Sequence, residues 1–163
     1  MSTLAAVDLR GETVVLRRAR ADDVAAIVAL LAADELGAAR DGVRDAGDLA
    51  AYAAAFRAID ADPAHILLVA ELAGQVVGTM QVSFLPGLAR RGALRAQVEA
   101  VRVAQSARGS GLGAAMMGWA IEEARRRGCV LVQLTSDKSR TGAHRFYQRL
   151  GFVASHEGMK LAL

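Results

Sequence analysis

About two-thirds of the way along this 163-residue chain, a β-patterned run passes into a helical one through Arg108-Gly109-Ser110-Gly111-Leu112-Gly113-Ala114. A strand that enters a glycine-rich turn and opens a helix leaves several backbone N–H groups free at the positive end of the helix dipole, where phosphate oxygens bind readily. Glycine at 109, 111 and 113 removes the β-carbons that would hold a diphosphate away, and Arg108 adds a charged donor at the rim. The segment points to a diphosphate ligand. Any fold for the chain must deliver this strand, turn and helix in that order.

The flanking sequence predicts the rest of the architecture. Residues 14–18 are a short β-branched run. Val24, Ile27, Val28 and Leu31 then share a helical face, with Asp22 or Asp23 at its start. Residues 33–47 show no period; Leu49, Tyr52, Ala53 and Phe56 restore helical spacing until Pro63 forbids it. Residues 66–72 and 76–84 are β-rich runs joined across Ala73-Gly74-Gln75, which predicts an antiparallel hairpin. Beyond Pro86-Gly87 and a basic loop with Arg90 and Arg91, residues 95–103 read as a strand on which Glu99, Val101 and Val103 share one face.

From 111 to 127 the pattern is helical, with Leu112, Ala115, Met116 and Trp119 on one stripe. Glu122/Arg126 and Glu123/Arg127 stand at pair-forming spacing, and Gly128 is the expected cap. Residues 130–135 read as an apolar strand. A last helix runs from Ser139 or Thr141 to Leu150, with Ala143, Phe146, Tyr147 and Leu150 in register and Gly151 as its stop. Residues 152–155 and 159–163 are expected to close the sheet as a terminal hairpin. With no repeat, low-complexity segment or linker, residues 1–163 read as one α+β domain, layered α/β/α. The expected core is a mixed, mostly antiparallel sheet of about six to seven strands with about four helices.

Composition excludes some function classes. The single cysteine, Cys129, rules out an internal disulfide, which suits a reducing compartment, and a cytoplasmic location is expected. Neither a signal peptide nor a membrane span is predicted: residues 1–10 lack a basic stretch followed by an apolar block, and Glu71, Gln75 and two glycines interrupt the most apolar segment, 66–82. A net charge of +3, supplied mostly by arginine, suits a phosphate-bearing small ligand. It argues against nucleic acid, because the basic residues are scattered and not interleaved with the few aromatics. His65, His144 and His156 show no metal-ligand spacing, so no metal is expected.

Two ligand families use such a turn. Residues 109–114 satisfy the dinucleotide-binding pattern, and Asp137 follows the next strand where a ribose-binding acid might sit. Yet only about two dozen residues follow Asp137, too few for the further βα units of a doubly wound sheet. Residues 98–113 instead resemble the acetyl-CoA signature of the GNAT N-acetyltransferase superfamily, a strand with an acid followed by Arg-x-x-Gly-x-Gly. Ala143-His144-Arg145-Phe146-Tyr147-Gln148-Arg149-Leu150-Gly151-Phe152 is similar to that family's second signature, A-x-x-F-Y-x-x-x-G-F. Element order agrees along the whole chain. One departure is Arg140, which stands where many members carry asparagine.

The resemblance implies transfer of an acetyl group from acetyl-CoA to an amine by direct attack. It places coenzyme contacts at Val101, Arg102 and Val103, at Arg108, Gly109, Ser110, Gly111, Leu112, Gly113 and Ala114, and at Arg140, Ala143 and Phe146. An acceptor amine is mostly protonated near neutral pH, so a base is required. The resemblance points to Glu99, and a carboxylate merely paired with Arg95 is the competing reading. It also makes Tyr147 the acid that protonates the departing thiolate, against the alternative that Tyr147 is a core aromatic on its helical stripe. Cys129 reads as a buried residue at a strand start rather than a nucleophile. His144 should point outward, and His156 reads as a surface histidine. Trp119, Met116 and Met117 read as core, and Arg125, Arg126 and Arg127 as complements of a helix C-terminus. The acids Asp34, Glu35 and Asp41 fall where members shape the acceptor site and could favour a cationic amine, but a solvated surface is the preferred reading.

The acceptor is expected to be a small-molecule amine, with a protein amine left open, and the working form a homodimer by analogy. An acyl-CoA-binding sensor or interaction module without turnover is the alternative, and a nicotinamide-dependent oxidoreductase a further one.

Overall fold

The computed structural model describes residues 3–33 and 35–163. Strands β1 (Thr3–Leu9) and β2 (Glu12–Arg18) form an antiparallel hairpin, closed by Arg10 (φ 54°) and Gly11 (φ 84°). Two consecutive left-handed residues give the mirror-image turn whose twist suits a two-residue hairpin. Helix α1 (Val24–Ala32) follows a 3-10 turn, and α2 (Ala46–Ala61) starts where the Asp45 carboxylate accepts the Asp48 amide at 3.0 Å. Then come β3 (His65–Leu72), β4 (Gln75–Pro86) and β5 (Leu94–Val103), helix α3 (Leu112–Arg126), strand β6 (Leu131–Leu134) and helix α4 (Thr141–Arg149).

The six strands lie in sequence order, β1 to β6, and every pair through β5 is antiparallel. That order is not a doubly wound parallel sheet, which removes the nicotinamide-domain alternative. β6 joins the sheet beside β5, where the Val130 amide meets the Leu94 carbonyl at 2.9 Å and Gln133 bonds Gln97 at 2.7 Å. The chain divides into two compact units, Met1–Gln133 and Leu134–Leu163.

In the first unit, both faces of the sheet are covered. Ile66, Leu68, Ala70, Met80, Val82, Ala96 and Val98 are buried on one side, where Leu112, Met116, Met117, Ala120 and Ala124 of α3 supply the matching stripe. On the other side Ala19, Ile27 and Val69 form a cluster completed by Leu31, Phe56, Leu67 and Val76. The buried Arg17 guanidinium ties the start of α1 to the sheet, bonding Asp23 at 2.6 and 2.9 Å and Glu71 at 2.8 Å. The hydrogen bond from Arg17 holds the Asp23 carboxyl below its ordinary range against the opposing effect of burial.

Three expectations are corrected here. No terminal hairpin forms: residues 152–163 contain no strand, and Val153, Met159, Leu161 and Leu163 are exposed. A run with no buried face cannot stabilise strand pairing, and the strand that the pattern missed is β1, at one edge of the sheet, whose residues are nowhere fully buried and so carry little alternating signal. Trp119 and Ala115 sit at the margin of α3 rather than in its core, because the helix rests on the sheet along the i, i+4 row through 112, 116, 120 and 124. Glu122 pairs with Arg125 instead of Arg126, which turns to Glu123 at 2.7 Å beside Arg127. Among the described residues no helix is long and apolar enough to cross a membrane.

Candidate active site

β5 is not a regular strand. Glu99 lies opposite Gln81 and Arg102 opposite Thr79, so Ala100 and Val101 together face the single residue Met80. Ala100 takes φ 54°, and the pair forms a β-bulge. This corrects the predicted face: the extra residue returns Arg102, not Val101 or Val103, to the side carrying Glu99. Glu99 is exposed, and among the described residues no ion pair holds it; Arg95 lies instead against Gly87. Past the bulge, Arg102 donates to the Val101 carbonyl at 2.9 Å, Arg108 reaches the Val103 carbonyl at 3.4 Å, and Ala104 closes onto Val77 at 2.8 Å.

A 3-10 turn over Gln105–Ala107 then feeds the glycine segment. Gly109 (φ 72°) and Gly111 (φ 94°) both adopt the left-handed conformation that side chains with a β-carbon rarely take, and Gly111 is the N-cap of α3. Gly113 lies inside the helix, so only two of the three glycines serve the backbone in this way. The Ser110 hydroxyl braces the turn, donating to the Ala107 carbonyl at 2.7 Å and accepting from the Leu112 amide at 3.3 Å. The first-turn amides of an α-helix have no acceptor within it, so the mouth of α3 offers donors to an anion. The residues fit a diphosphate: a β-carbon at 109 or 111 would strain the turn that sets the first-turn amides of α3 in place.

The β1–β2 turn forms a wall of this mouth. Arg10 donates to the Gly109 carbonyl, and the Leu9 side chain lies 3.8 Å from where a β-carbon on Gly111 would stand. Arg10 and Gly109 are 99 positions apart in the chain. No local sequence signal reveals the contact, although Arg10-Gly11 at a hairpin tip is legible as a turn.

The second unit contains the other predicted residues. Asp137 organises the start of α4: its carboxylate accepts the Ser139 amide at 2.9 Å, while its carbonyl accepts Arg140 N–H at 3.0 Å and His144 Nε2–H at 2.9 Å. Arg140 is the N-cap residue of that helix. Ala143, Phe146 and Tyr147 are half-buried, and the Tyr147 ring makes edge contacts with Phe146 at 5.1 Å and Phe152 at 5.8 Å between centroids. Gly151 (φ 91°) ends the helix. His156 bonds its neighbour Ser155 at 2.8 Å.

Other candidates resolve on their contacts. Cys129 is half-buried just before β6, and burial pushes its thiol above the ordinary range, which disfavours the nucleophilic thiolate. His65 shares a hydrogen bond with the buried Ser83 at 2.8 Å, a cross-strand structural pair. Arg127 caps Phe84 at 4.0 Å and donates to the Pro63 carbonyl at 3.1 Å, which occupies it structurally. Asp34 and the side chain of Glu35 lie outside the described residues; the Asp41 amide bonds the Gly37 carbonyl at 2.7 Å. Among the described residues, no three His, Cys, Asp or Glu side chains gather as a metal site.

This combination of a bulged strand, a left-handed glycine turn and a helix mouth defines an acetyltransferase fold. A model of the acetyltransferase (GNAT) family matches residues 25–152, and the chain belongs to that family. It is 30% identical over 141 residues to an aminoalkylphosphonate N-acetyltransferase of Salmonella typhimurium, covering 86% of each chain. A glucosamine 6-phosphate N-acetyltransferase of Trypanosoma brucei brucei is 36% identical over 90 residues, 55% of this chain and 59% of that one. Among solved structures, a protein from Bacillus halodurans described as a transcriptional regulator is 43% identical, with a TM-score of 0.87 over 92% of this chain and 99% of that one.

Proposed function

We propose that the chain transfers the acetyl group of acetyl-CoA to the nitrogen of a small primary amine. The observation that carries this reading is the left-handed pair Gly109 and Gly111 at the mouth of α3, directly after the bulge in β5. Acetyl-CoA supplies a thioester activated toward attack, and its diphosphate is the group this mouth fits. The backbone of Val101, Arg102 and Val103 lines the route of the pantetheine arm, and an N–H freed by the bulge stabilises the developing oxyanion. Arg140, Ala143 and Phe146 complete the coenzyme contacts in this reading, and residues 1–163 work as one transferase domain.

Glu99 takes the proton of the ammonium acceptor, directly or through water. Its exposure and lack of an ion-pair partner among the described residues leave the carboxylate available. The amine then forms the new C–N bond as the C–S bond breaks, the Tyr147 hydroxyl protonates the leaving sulfur, and the second nitrogen proton passes to water, from which the tyrosinate is reprotonated. Both relatives named for their acceptors act on an amine that also carries a phosphorus oxyanion, so that class heads the acceptors to be tested. The expected working form is a cytoplasmic homodimer that needs neither metal nor nucleic acid.

The description of the 43% identical relative as a transcriptional regulator favours a second reading, an acyl-CoA sensor without turnover. Release of free thiol from acetyl-CoA, measured against a panel of amines led by an aminoalkylphosphonate and glucosamine 6-phosphate, separates the two. The enzyme reading expects amine-dependent release; coenzyme binding with no release from any amine assigns the sensor.

A further inference from the structure

We infer that Arg10, at the tip of the β1–β2 hairpin, is a binding residue for the coenzyme's diphosphate, an inference that rests on the acetyl-CoA reading above. Arg10 is exposed and sits at φ 54°, a conformation that favours glycine, asparagine or aspartate over arginine. Its guanidinium is laid on the Gly109 carbonyl at the mouth of α3, with Leu9 forming the adjoining wall beside Gly111.

A guanidinium carries five N–H donors, and the bond to Gly109 uses one, which leaves a charged fork at the rim suited to phosphate oxygens. Arg108 reaches back to the Val103 carbonyl, so Arg10 supplies positive charge from a different element of the fold. The hairpin tip thus acts as a second jaw of the cradle, with α3 as the first.

The test uses Arg10→Gly, which deletes the guanidinium while placing at φ 54° the residue that tolerates it best. Calorimetry with coenzyme A is expected to show about tenfold weaker binding to the variant, with the same loss for 3′-dephospho-coenzyme A. The melting temperature of the free protein is expected to hold or rise. A purely structural arginine would lower both quantities, and that result overturns the inference. Unchanged affinity also overturns it, as does a loss that disappears with the dephospho ligand, because Arg10 would then serve the 3′-phosphate. Absence of coenzyme binding by the unaltered protein defeats the acetyl-CoA reading and this inference together, whereas binding that the variant keeps in full defeats only the inference. Arg10→Gln repeats the measurement without a glycine, and retention of full affinity there counts against the proposal in the same way.

Discussion

The helices that carry the two recognised motifs are built on different principles. α3 buries five residues completely, Leu112, Met116, Met117, Ala120 and Ala124, whereas α4 has no fully buried residue. The difference follows from which atoms each motif presents. The glycine turn offers backbone amides, whose aim depends on the position of the helix itself, so a helix locked into a core is required. The second motif offers side chains, and a local aromatic group of Phe146, Tyr147 and Phe152, with Asp137 accepting from Ser139, Arg140 and His144, orders that segment without a deep core.

The contrast is most open to attack at Met116. Its side chain is fully buried, and its sulfur lies 3.0 Å from where a β-carbon on Gly78 would stand. Met116→Ala is expected to cost about 3 to 4 kcal/mol in urea unfolding, and Phe146→Ala in α4 less than about half of that. Equal losses would erase the distinction between the helices.

Turnover should show the complementary pattern. Tyr147→Phe is expected to lower kcat about 100-fold while leaving coenzyme affinity unchanged. A variant that kept full kcat would return Tyr147 to a packing role. A smaller effect compares two left-handed glycines. Gly111→Ala and Gly151→Ala should each destabilise by about 1 to 2 kcal/mol, since φ is 94° and 91°. Only Gly111→Ala should also weaken coenzyme binding, which calorimetry would register.

The smallest expected effect concerns the C-terminal end of α3. Hydrogen bonding from Arg126, with Arg127 beside it, lowers the Glu123 carboxyl to about 2 against the opposing effect of burial. A carboxyl depressed in the folded state contributes stability that is present in full above its unfolded value and is lost as pH falls through the folded one. Between about pH 5 and 2, Glu123→Gln should therefore narrow the acid-induced loss of stability by about 1 kcal/mol, a figure reduced for the exposure of Arg126. Chemical denaturation of both proteins across that range checks it; parallel curves would dismiss the pair as a stabiliser.

Much of this architecture was legible before any coordinates. The β3–β4 hairpin was readable because Ala73-Gly74 stands between two β-branched runs, and both residues take positive φ. α3 and its Gly128 stop were readable from period and cap. β1 was not, because an edge strand with no fully buried residue lacks a strong alternating signal. The terminal hairpin failed for the converse reason: apolar residues such as Met159 and Leu161 imitate a strand, yet nothing covers them. Glu99 was singled out by its position in a motif, and its face relative to Val101 and Val103 depended on the bulge at Ala100, a departure from the two-residue period that pattern reading assumes.

By itself the sequence determined the order of strands and helices, the glycine turn and the family. Those properties are local: they reside in side-chain period, in the few residues that tolerate positive φ, and in short motifs. Tertiary structure alone decided that the β1–β2 tip meets the mouth of α3, that Arg17 joins Asp23 to Glu71, and that one extra residue in β5 reverses its faces. Each of these depends on groups brought together by the sheet across distances along the chain that no local pattern encodes.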